Sequence, residues 1–503
     1  MLPLTAPHAT APLPRVTRAP STATDEVRSA PSQWRLIHYV LLVTVVAVLL
    51  RVIGLESWSL WEDEEGSLTR AHENLSQGFQ GYFPLFFIAL KQYADWVGMS
   101  VAALRLLPAT AGLLSIVFAM TGFRRQLPPR TAALAGLLLA INIGHLFFSQ
   151  SIRYYTTALV FQVLALTWFF DGFESGRAWK LLLSLVALVL ALLTHFSSLL
   201  LGPVFVGYLL LTALLGERGG GYKTRWYIGY GGALAAVGAY FSWRMLLLQS
   251  EMIGDWAIPE QRDPVHVGTT VVAYFGVPLL GLGLLAPLLA RDLPRRVLFI
   301  LLTIGVVPVL ELITLAAFNF VNVTWYYGFV AMIGFALAAA ASVMGVWTRG
   351  YPRIAAGLVV VSVGYYAYFL GLYYTTAHGD RPRWEEAAQF LQREYGVRPG
   401  NPDAPPVFSN VPGPVAFYLG EHPRSYEPSR VIQRIPSNPA ELPAGGVYVV
   451  EERQLSPAYR VWFASRCERT ACFEAHTGPV DRSVSVFVDR TPRSNPPAAL
   501  KSR

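Results

Sequence analysis

The sequence is poor in charge and in cysteine, and it lacks the common motifs that bind soluble nucleotides. Only 14% of its 503 residues are Asp, Glu, Lys or Arg, and two are cysteine. Soluble globular proteins carry about 25% charged residues, so this deficit indicates a protein whose body lies in lipid. No Gly-Lys-Ser/Thr phosphate loop, Gly-rich dinucleotide fingerprint or zinc-protease helix motif occurs in the sequence. Neither a soluble nucleotide cofactor nor zinc-protease chemistry is therefore indicated.

The formal net charge of +8 does not indicate a nucleic-acid-binding protein. The basic residues are scattered in short clusters between apolar runs, as in the cytoplasmic loops of membrane proteins. Residues 1–33 are polar, rich in Pro, Ala, Ser and Thr, and precede the first apolar run. We interpret them as a disordered cytoplasmic tail rather than a cleavable signal peptide.

Apolar runs of about 20 residues, each long enough to cross a bilayer, recur along the chain. They predict eleven transmembrane helices, at residues 35–54, 104–123, 131–148, 154–171, 179–195, 198–215, 226–248, 268–290, 296–317, 324–346 and 353–374. A further apolar stretch, Pro84–Val97, would extend only about 21 Å as a helix, short of the roughly 30 Å hydrocarbon core. It also contains Lys91 and Asp95. We predict that it forms a helix lying in the membrane interface.

Loop charges support these spans and orient them. With a cytoplasmic N-terminus every inside loop is basic, as the positive-inside rule requires. The basic residues of these loops are Arg124, Arg125, Arg130, Arg177, Lys180, Arg218, Lys223, Arg225, Arg291, Arg295, Arg296, Arg349 and Arg353. Counting Pro84–Val97 as a span would invert every later loop. We therefore predict a multi-pass protein of the plasma (inner) membrane, with a transmembrane domain over 34–374, its first external loop at 55–103, and an extracytoplasmic domain over 375–503.

The C-terminal segment is predicted to be a small α/β domain. Residues 384–395 have helical periodicity, and short β-rich runs follow at 406–411, 446–452 and 483–488. This alternation of helix and strand patterns is typical of an α/β fold.

Cys467 and Cys472 both lie in this predicted domain. An extracytoplasmic compartment favours a disulfide between them, and two free thiols are the alternative. Two cysteines alone do not make a metal site.

The first external loop concentrates negative charge at the membrane surface. Trp58 and Trp61 are spaced so that both can anchor at the lipid headgroups on a helix, and four carboxylates follow at residues 62–65. This cluster is either a solvated acidic turn or the source of a general base. A base here would remove a proton from an acceptor hydroxyl or amine arriving from outside. A neighbouring carboxylate would raise the pKa of such a base by like-charge repulsion.

Arg153 lies in the second external loop, within Ser149–Tyr155. The outside loops are otherwise nearly free of basic residues, and a guanidinium is well suited to bidentate contact with a phosphate. A snorkelling interfacial arginine is the alternative. An external acid and an external arginine together suit group transfer from a lipid phosphate.

Other ionisable residues are candidates by position. Arg244 and Glu311 lie within predicted spans near their outer ends, and intramembrane ionisable groups mark functional sites or structural pairs. His195, at an outer helix end, could contact the leaving phosphate or pack as an ordinary core residue. Arg105 begins the second span and could snorkel to the interface. The external loop 249–267 could close over a lipid headgroup.

Taken in order, these segments resemble a known family. Residues 61–64, Trp-Glu-Asp-Glu, resemble the Trp-x-Asp-Glu signature of the integral-membrane C-type (GT-C) glycosyltransferases. The nearest resemblance is to bacterial protein O-mannosyltransferase-like and lipopolysaccharide-core or lipid A sugar transferases. Residues 105–109 resemble the family's Arg-Leu-Pro-Ser segment, and 145–155 resemble its His…Ser-Gln-Glu-Ala-Arg-x-Tyr segment. Residues 383–388 resemble its Trp-x-x-Ala-Ala helix, which opens the external domain.

The resemblance covers most of the chain and implies an all-α polytopic membrane bundle with a small extracytoplasmic α/β domain. It implies inverting transfer of a sugar from a polyprenyl-phosphate donor at the outer membrane face. By this analogy Asp63 is the catalytic base, Glu64 is its neighbour and Arg153 is a ligand of the donor phosphate. The residues that we assign to substrate binding are Arg153, Tyr154, Arg105, His145, His195, Arg244 and Glu311. We assign no metal ligand, and a divalent cation is the one cofactor left open. The expected partners are membrane lipids, the polyprenyl-phosphate sugar donor, and a lipid, glycan or protein acceptor. Nucleic acid is not an expected partner.

Three segments depart from the family pattern. Residues 82–85, Tyr-Phe-Pro-Leu, stand where the family has His-Pro-Pro-Leu, and Ser151 replaces the acid of Ser-Gln-Glu-Ala-Arg. Residues 325–327, Trp-Tyr-Tyr, occupy the region where the family often has Arg-Tyr. The donor sugar and the class of acceptor therefore stay open.

Two other functions are considered. A transporter or lipid flippase would need ionisable residues deep in the bundle and discontinuous helices at mid-membrane. The charged candidates here cluster at one face, which favours an enzyme. A catalytically inactive membrane scaffold, whose external domain binds a partner, is the third hypothesis.

Overall fold

The computed structural model describes residues 30–76, 84–214, 224–252, 262–318, 323–421, 431–442, 445–477 and 480–490. The predictions for residues 1–29, for the motif positions Tyr82 and Phe83, and for the central part of the external loop at 253–261 lie outside the described residues.

Helices occupy every predicted span. The helices of this region are α1 (Ala30–Val52), α2 (Glu62–Ser76), α3 (Pro84–Val97), α4 (Val101–Gly122), α5 (Pro129–Ile141), α6 (Ile143–Ser149), α7 (Tyr155–Ser175), α8 (Ala178–Thr194), α9 (Leu201–Leu214), α10 (Thr224–Met252), α11 (Pro264–Phe275), α12 (Val277–Leu284), α13 (Ala286–Leu289), α14 (Arg295–Ala317), α15 (Ala331–Thr348) and α16 (Pro352–Thr375). Short 3-10 helices at Phe196–Leu200 and Trp325–Gly328 precede α9 and α15. In the described ranges, six helices are long and apolar enough to cross a membrane, or eight if each of two bent pairs is one span. The chain is thus a multi-pass membrane protein, and the number of eleven spans stays a prediction.

The first bent pair, α5 and α6, turns by 65° at Asn142. Asn142 has an extended backbone (φ −72°, ψ 129°), and its side-chain oxygen accepts a hydrogen bond from the His145 N–H at 3.0 Å. Its side-chain nitrogen donates to the Phe275 carbonyl at 2.8 Å. Asn142 thus caps α6, and it also satisfies a backbone carbonyl at the end of α11, where the α11–α12 pair is broken. The bend directs α6 toward the loop that carries Arg153.

The second bent pair, α11 and α12, turns by 100° at Gly276. Gly276 has φ +86° and ψ 141°, a conformation that residues with a Cβ rarely adopt. A Cβ at this position would lie 2.8 Å from the Tyr366 hydroxyl oxygen. Glycine is therefore required both by the turn and by the close approach of α16.

Helix α15 forms the centre of the bundle, and it packs against α5, α12, α14 and α16. In the most apolar 18 residues of α15, 83% of the residues are buried inside the protein. The corresponding share is 17% in α1 and in α16, so these two helices lie at the surface of the bundle. Its run of small residues lets neighbouring backbones approach closely. A Cβ at Gly334, for example, would lie 2.3 Å from the backbone nitrogen of Gly305 on α14.

The loop predicted to be the first external one contains helices α2 and α3, and the bounds of α3 coincide with the predicted interfacial segment. Within α3, Lys91 and Asp95 form an ion pair one helical turn apart, while Trp96 is 82% exposed. A helix of 14 residues that carries a charge pair and an exposed tryptophan suits the membrane interface. Its flat orientation stays a prediction.

The C-terminal domain contains helices α17 (Trp384–Tyr395), α18 (Pro412–Tyr418) and α19 (Pro457–Arg466), with strands β1 (Val407–Ser409), β2 (Ile432–Arg434), β3 (Val447–Glu451), β4 (Cys467–Phe473), β5 (His476–Thr477), β6 (Val480–Asp481) and β7 (Val484–Asp489). Five strands form a mixed sheet in the order β2-β1-β3-β7-β4. Strand β1 is parallel to β2 and β3, and β7 is antiparallel to β3 and β4. The predicted small α/β domain is present.

Alternation along β3 sorts its residues between two helical layers. Val447 and Val449 pack in the cluster that contains α17 and α18, whereas Tyr448 and Val450 pack with α19. All five residues of β3 are buried, as expected for a strand covered on both faces.

The predicted disulfide between Cys467 and Cys472 is wrong. Both cysteines are free, and both lie on strand β4. Five residues along an extended strand span about 16 Å, far beyond the reach of a disulfide. Cys467 is buried and Cys472 is exposed. A bulge between Arg469 and Ala471 shifts the alternation of β4 by one residue, so both cysteines face the same side of the sheet but stay too far apart to pair.

Candidate active site

The Glu64 side chain is fully buried and anchors the first turn of α2 to the bundle. Arg105 on α4 donates to both its carboxylate oxygens, from Nε at 2.9 Å and from Nη2 at 2.7 Å. The backbone N–H of Ile152 donates to Glu64 Oε1 at 2.9 Å. Burial raises the pKa of Glu64, but the charges of Arg105 and Arg381 lower it more, so the net pKa falls below its usual value. Glu64 therefore stays ionised and serves as a structural anchor.

Arg105 has no donor left for a substrate. Besides Glu64, it donates from Nη1 to the carbonyls of Leu55 at 2.9 Å and Trp58 at 2.8 Å, and from Nη2 to that of Ser59 at 3.0 Å. Its exposed fraction is 0%. These contacts fold the loop 55–59 over the end of α4, so the geometry favours a structural role for Arg105 over phosphate binding.

Asp63 and Arg153 meet on the exposed side of this anchor. Arg153 Nη2 lies 3.6 Å from Asp63 Oδ2, and Nη1 donates to the Asp63 carbonyl at 2.9 Å and to Ser67 Oγ at 3.0 Å. The Arg153 side chain is 8% exposed, whereas that of Asp63 is 35% exposed. The acid therefore remains open to an incoming molecule, while the guanidinium lies below it.

An aromatic group surrounds the Arg153 guanidinium. Its carbon lies 4.5 Å from the Tyr154 ring centroid, and Nη2 donates to the Tyr154 hydroxyl at 2.8 Å. His195 stacks on Tyr154, with ring centroids 4.3 Å apart, and Tyr155 and Tyr326 pack against each other beside it at 4.8 Å. The structure thus brings together predicted site residues from two separate segments, Arg153 and Tyr154 from one and His195 from the other.

Arg153 also retains a hydrogen-bonding site for a ligand. Its Nε is buried and has no hydrogen-bond partner in the described part of the chain. Burial lowers the pKa of Arg153, but Asp63 and Tyr154 raise it more, so the group keeps its charge. A buried guanidinium with a spare donor, ringed by phenol hydroxyls, is suited to an anionic oxygen.

The sequence patterns did not indicate that Tyr155, Tyr326 and Tyr327 belong to this site. Tyr327 packs on His195 with centroids 5.3 Å apart, and Tyr326 packs on Tyr155. Residues 325–327 were noted only as a departure from the family pattern. The signal that could have found them is the concentration of aromatic hydroxyls at the outer end of a predicted span.

His145 lies in a separate buried network. Its Nδ1 lies 2.8 Å from Arg51 Nη2, and its Nε2 lies 3.1 Å from Ser115 Oγ. Because an arginine can only donate, His145 Nδ1 accepts in this arrangement. The network ties α1, α4 and α6 together, so the geometry favours a structural role for His145.

Arg244 and Glu311 are not brought to the Asp63–Arg153 pair by any ion pair or hydrogen bond between described residues. Arg244 is half-buried on α10, which packs against α8 and α9. Glu311 lies on α14, and its two carboxylate oxygens are buried with no hydrogen-bond partner among the described residues. Their predicted part in substrate binding stays untested.

Glu62 and Glu65 lie on the side of α2 that faces the C-terminal domain. The Glu62 side chain is exposed. Desolvation by the surrounding protein raises its pKa to about 7, and the negative charges of Asp63 and Glu451 contribute to this rise. Glu65 accepts a hydrogen bond from Thr69 Oγ1 at 2.8 Å.

An apolar groove of about 580 Å³ opens close to the aromatic group. It runs along α8, α9 and α10 and is lined by Leu188, Leu192, Ser198, Leu199, Gly202, Pro203, Val206, Gly207, Leu210, Gly231, Leu234, Ala235, Val237, Gly238 and Ala239. The Ser198 N–H donates to the His195 carbonyl at 3.2 Å, so one lining residue of the groove contacts the residue that stacks on Tyr154. Gly202 and Gly238 have no atom within 4 Å of a Cβ built on them, which leaves the groove open at both positions.

The described ranges contain no group of three or more His, Cys, Asp or Glu side chains that could hold a metal ion.

Comparison with known proteins identifies the fold. No protein-family model matches the chain, and none of the curated proteins is similar in sequence. Among solved structures, the fold is similar to ArnT from Cupriavidus metallidurans, in the apo state and bound to undecaprenyl phosphate, with a TM-score of 0.55 and 16% identity over 90% of this chain and 98% of ArnT.

The fold is also similar to the oligosaccharyltransferase of Archaeoglobus fulgidus. The apo form gives a TM-score of 0.52 at 13% identity over 83% of this chain and 63% of that one. The oligosaccharyltransferase AglB, in complex with an inhibitory peptide and a dolichol-phosphate, gives 0.53 at 12% identity over 79% and 65%. ArnT and AglB are both GT-C glycosyltransferases, so the predicted resemblance is confirmed at the level of structure: this chain has the GT-C glycosyltransferase fold.

Proposed function

We propose that this protein transfers a sugar from a polyprenyl-phosphate donor to an acceptor at the outer face of the membrane. Asp63 serves as the general base and Arg153 binds the donor phosphate. The observation that carries the proposal is the Asp63–Arg153 pair at 3.6 Å, an accessible acid beside a buried guanidinium.

The groove supports a lipid-linked donor. A polyprenyl chain requires a long apolar surface, and the groove supplies one between α8, α9 and α10. The phosphate of such a lipid would then lie at the His195 end, close to the Arg153 guanidinium. ArnT, which shares the fold, has been solved with bound undecaprenyl phosphate.

The chemistry follows from the two charges. Asp63 removes the proton from an acceptor hydroxyl or amine as that nucleophile attacks the anomeric carbon of the sugar. The bond from the anomeric carbon to the phosphate oxygen breaks, and the polyprenyl phosphate leaves with an added negative charge. Arg153 stabilises that charge through hydrogen bonds in a site where burial strengthens electrostatic contacts. Phosphate binding would also draw Arg153 away from Asp63 and release the carboxylate to act as base.

The test is transfer by purified protein in lipid nanodiscs, with radiolabelled polyprenyl-phosphate sugars as donors and membrane extract as the source of acceptor. Asp63→Asn should abolish transfer, since general-base catalysis contributes about 10² to 10⁴-fold. Arg153→Gln should lower kcat by about 10² to 10³-fold, as for the loss of one charge-stabilising donor.

Glu56→Gln is the matched control, because Glu56 is an exposed carboxylate of the same loop. It should leave transfer unchanged. Full activity of Asp63→Asn would refute the assigned base, and movement of donor lipid across the nanodisc without product would indicate a flippase.

A further inference from the structure

The short segment between α16 and α17 joins the membrane bundle to the C-terminal domain, and its backbone is unusual. His378, Gly379 and Asp380 have φ of 48°, 62° and 59°, three successive left-handed residues of which two are not glycine. Such a conformation persists only where surrounding contacts determine it. His378 Nε2 accepts from the Ser59 N–H at 3.3 Å, and Asp380 accepts from the Tyr274 hydroxyl at 2.7 Å. The joint is therefore held from two separate parts of the bundle.

Arg381 follows this joint directly and is fully buried. Its Nη2 donates to the Gln150 carbonyl at 2.8 Å and to Ser151 Oγ at 2.7 Å, and its Nε lies 3.5 Å from Glu64 Oε2. The guanidinium also lies 4.8 Å from the centroid of the Phe147 ring. A residue of the C-terminal domain thus enters the bundle and contacts both external loops.

The two segments that Arg381 joins are those that carry the reacting pair. Glu64 is the neighbour of Asp63 in α2, and Ser151 lies two residues before Arg153. Glu64 Oε1 in turn accepts the Ile152 N–H at 2.9 Å, so the carboxylate links the same two segments. Without Arg381, Arg105 would still hold Glu64, but the loop 150–152 would lose two of its hydrogen bonds.

We propose that Arg381 is a positioning residue that makes the alignment of Asp63 with Arg153 depend on docking of the C-terminal domain. This inference rests on the proposed function for its catalytic consequence, but the structural coupling can be tested without activity. Arg381 does not touch the reacting atoms; it acts through Glu64 and the loop 150–152. The C-terminal domain is then a required part of the active site.

The first test measures hydrogen exchange in the full chain in nanodiscs, comparing Arg381→Gln with Arg383→Gln. Arg383 is the matched control, since it is partly exposed and pairs at 2.8 Å with Glu386, whose other carboxylate oxygen accepts from Ser59 Oγ at 3.5 Å, outside both measured segments. Arg381→Gln should increase amide exchange in both 60–68 and 150–156, whereas Arg383→Gln should leave both unchanged. Increased exchange confined to 378–395 would overturn the proposal.

The second test separates kcat from KM for the polyprenyl-phosphate sugar donor. Arg381→Gln should lower kcat by about 100-fold, the effect of a misplacement on the order of 1 Å, and change KM by less than about threefold. Arg381→Lys, which can still donate to Gln150 and Ser151, should regain part of kcat.

A merely structural role would give a different result: a lower melting temperature, a smaller active fraction with unchanged kcat per active site, and no recovery in Arg381→Lys. That result would overturn the proposal. If the unaltered protein transfers no sugar, the proposed function fails, while the hydrogen-exchange comparison still decides whether Arg381 couples the domain to the loops.

Discussion

At the scale of single residues, adjacent acids in one helical turn have different environments. Successive residues of a helix point about 100° apart, so Glu64 faces the buried arginines, Asp63 faces Arg153 and Glu62 faces the C-terminal domain. Glu64 is 0% exposed and doubly paired, and Asp63 is accessible beside Arg153. Two adjacent carboxylates thus differ in role, with Asp63 as the candidate base and Glu64 as the anchor.

Glu62 gives a prediction about pH. Its pKa is raised from 4.5 to about 7, chiefly by desolvation and then by Asp63, so the folded state binds a proton more tightly than the unfolded state. Ionising Glu62 therefore costs folding free energy, and its contribution becomes less favourable as pH rises from about 4.5 to about 7. Glu62→Gln should raise the melting temperature at pH 8 and leave it nearly unchanged at pH 4.

The measurement is a melting curve at both pH values, with Glu56→Gln as control for loss of a carboxylate. An equal shift at pH 4 and pH 8 would show that ionisation of Glu62 is not the cause.

At the scale of elements, the glycines of α9 and α10 form the groove by the absence of side chains. Gly202 and Gly238 would each place a Cβ in open space, so a larger residue fills the groove without a clash against the protein. Contacts within a membrane depend on packing rather than on the hydrophobic effect. A larger side chain in the groove should therefore exclude a lipid chain sterically.

Gly202→Leu should raise KM for a long-chain polyprenyl-phosphate sugar by about tenfold, equivalent to about 1.4 kcal/mol. A short-chain donor that does not reach the groove should keep its KM. The control is Gly357→Leu, since Gly357 is exposed on α16 and also has no atom near a built Cβ. Equal effects on the KM values of both donors would show that the groove does not bind the lipid chain of the donor.

At the scale of the whole molecule, the bundle and the C-terminal domain meet at the proposed site. Helix α2 packs against α18 of the domain, and the Leu60 N–H donates to the Tyr418 hydroxyl at 2.7 Å. With the predicted orientation this junction lies on the extracytoplasmic side, so an acceptor would arrive there without crossing the membrane.

The free cysteines provide a direct test of that orientation. Cys472 is exposed, whereas Cys467 is buried and its pKa is raised to about 12, mainly by desolvation, so its thiol is unreactive. A membrane-impermeant maleimide should label intact cells or spheroplasts through Cys472 alone, and Cys472→Ser should abolish the labelling. Labelling that requires permeabilised membranes would place the domain in the cytoplasm.

The sequence by itself determined the helical membrane body, the positions of its helices and the α/β character of the C-terminal domain. Apolar run length, loop charge and residue periodicity are local properties, and lipid forces each apolar segment to satisfy its backbone internally. The helical conformation of α3 could also be predicted from the local sequence. Motifs that follow one another in order at the ends of the outer loops predicted that Asp63, Arg153, Tyr154 and His195 belong to one site.

Only the tertiary structure distinguished the roles of these residues. It separated Glu64 and Arg105, as anchors, from Asp63 and Arg153, and it placed His145 with Arg51. It also refuted the disulfide, because sequence spacing does not reveal that Cys467 and Cys472 lie along one extended strand, too far apart to pair. Arg381 and Tyr326 reach the site from more than 170 residues beyond Arg153, and such contacts depend on packing between distant helices, which local pattern does not encode.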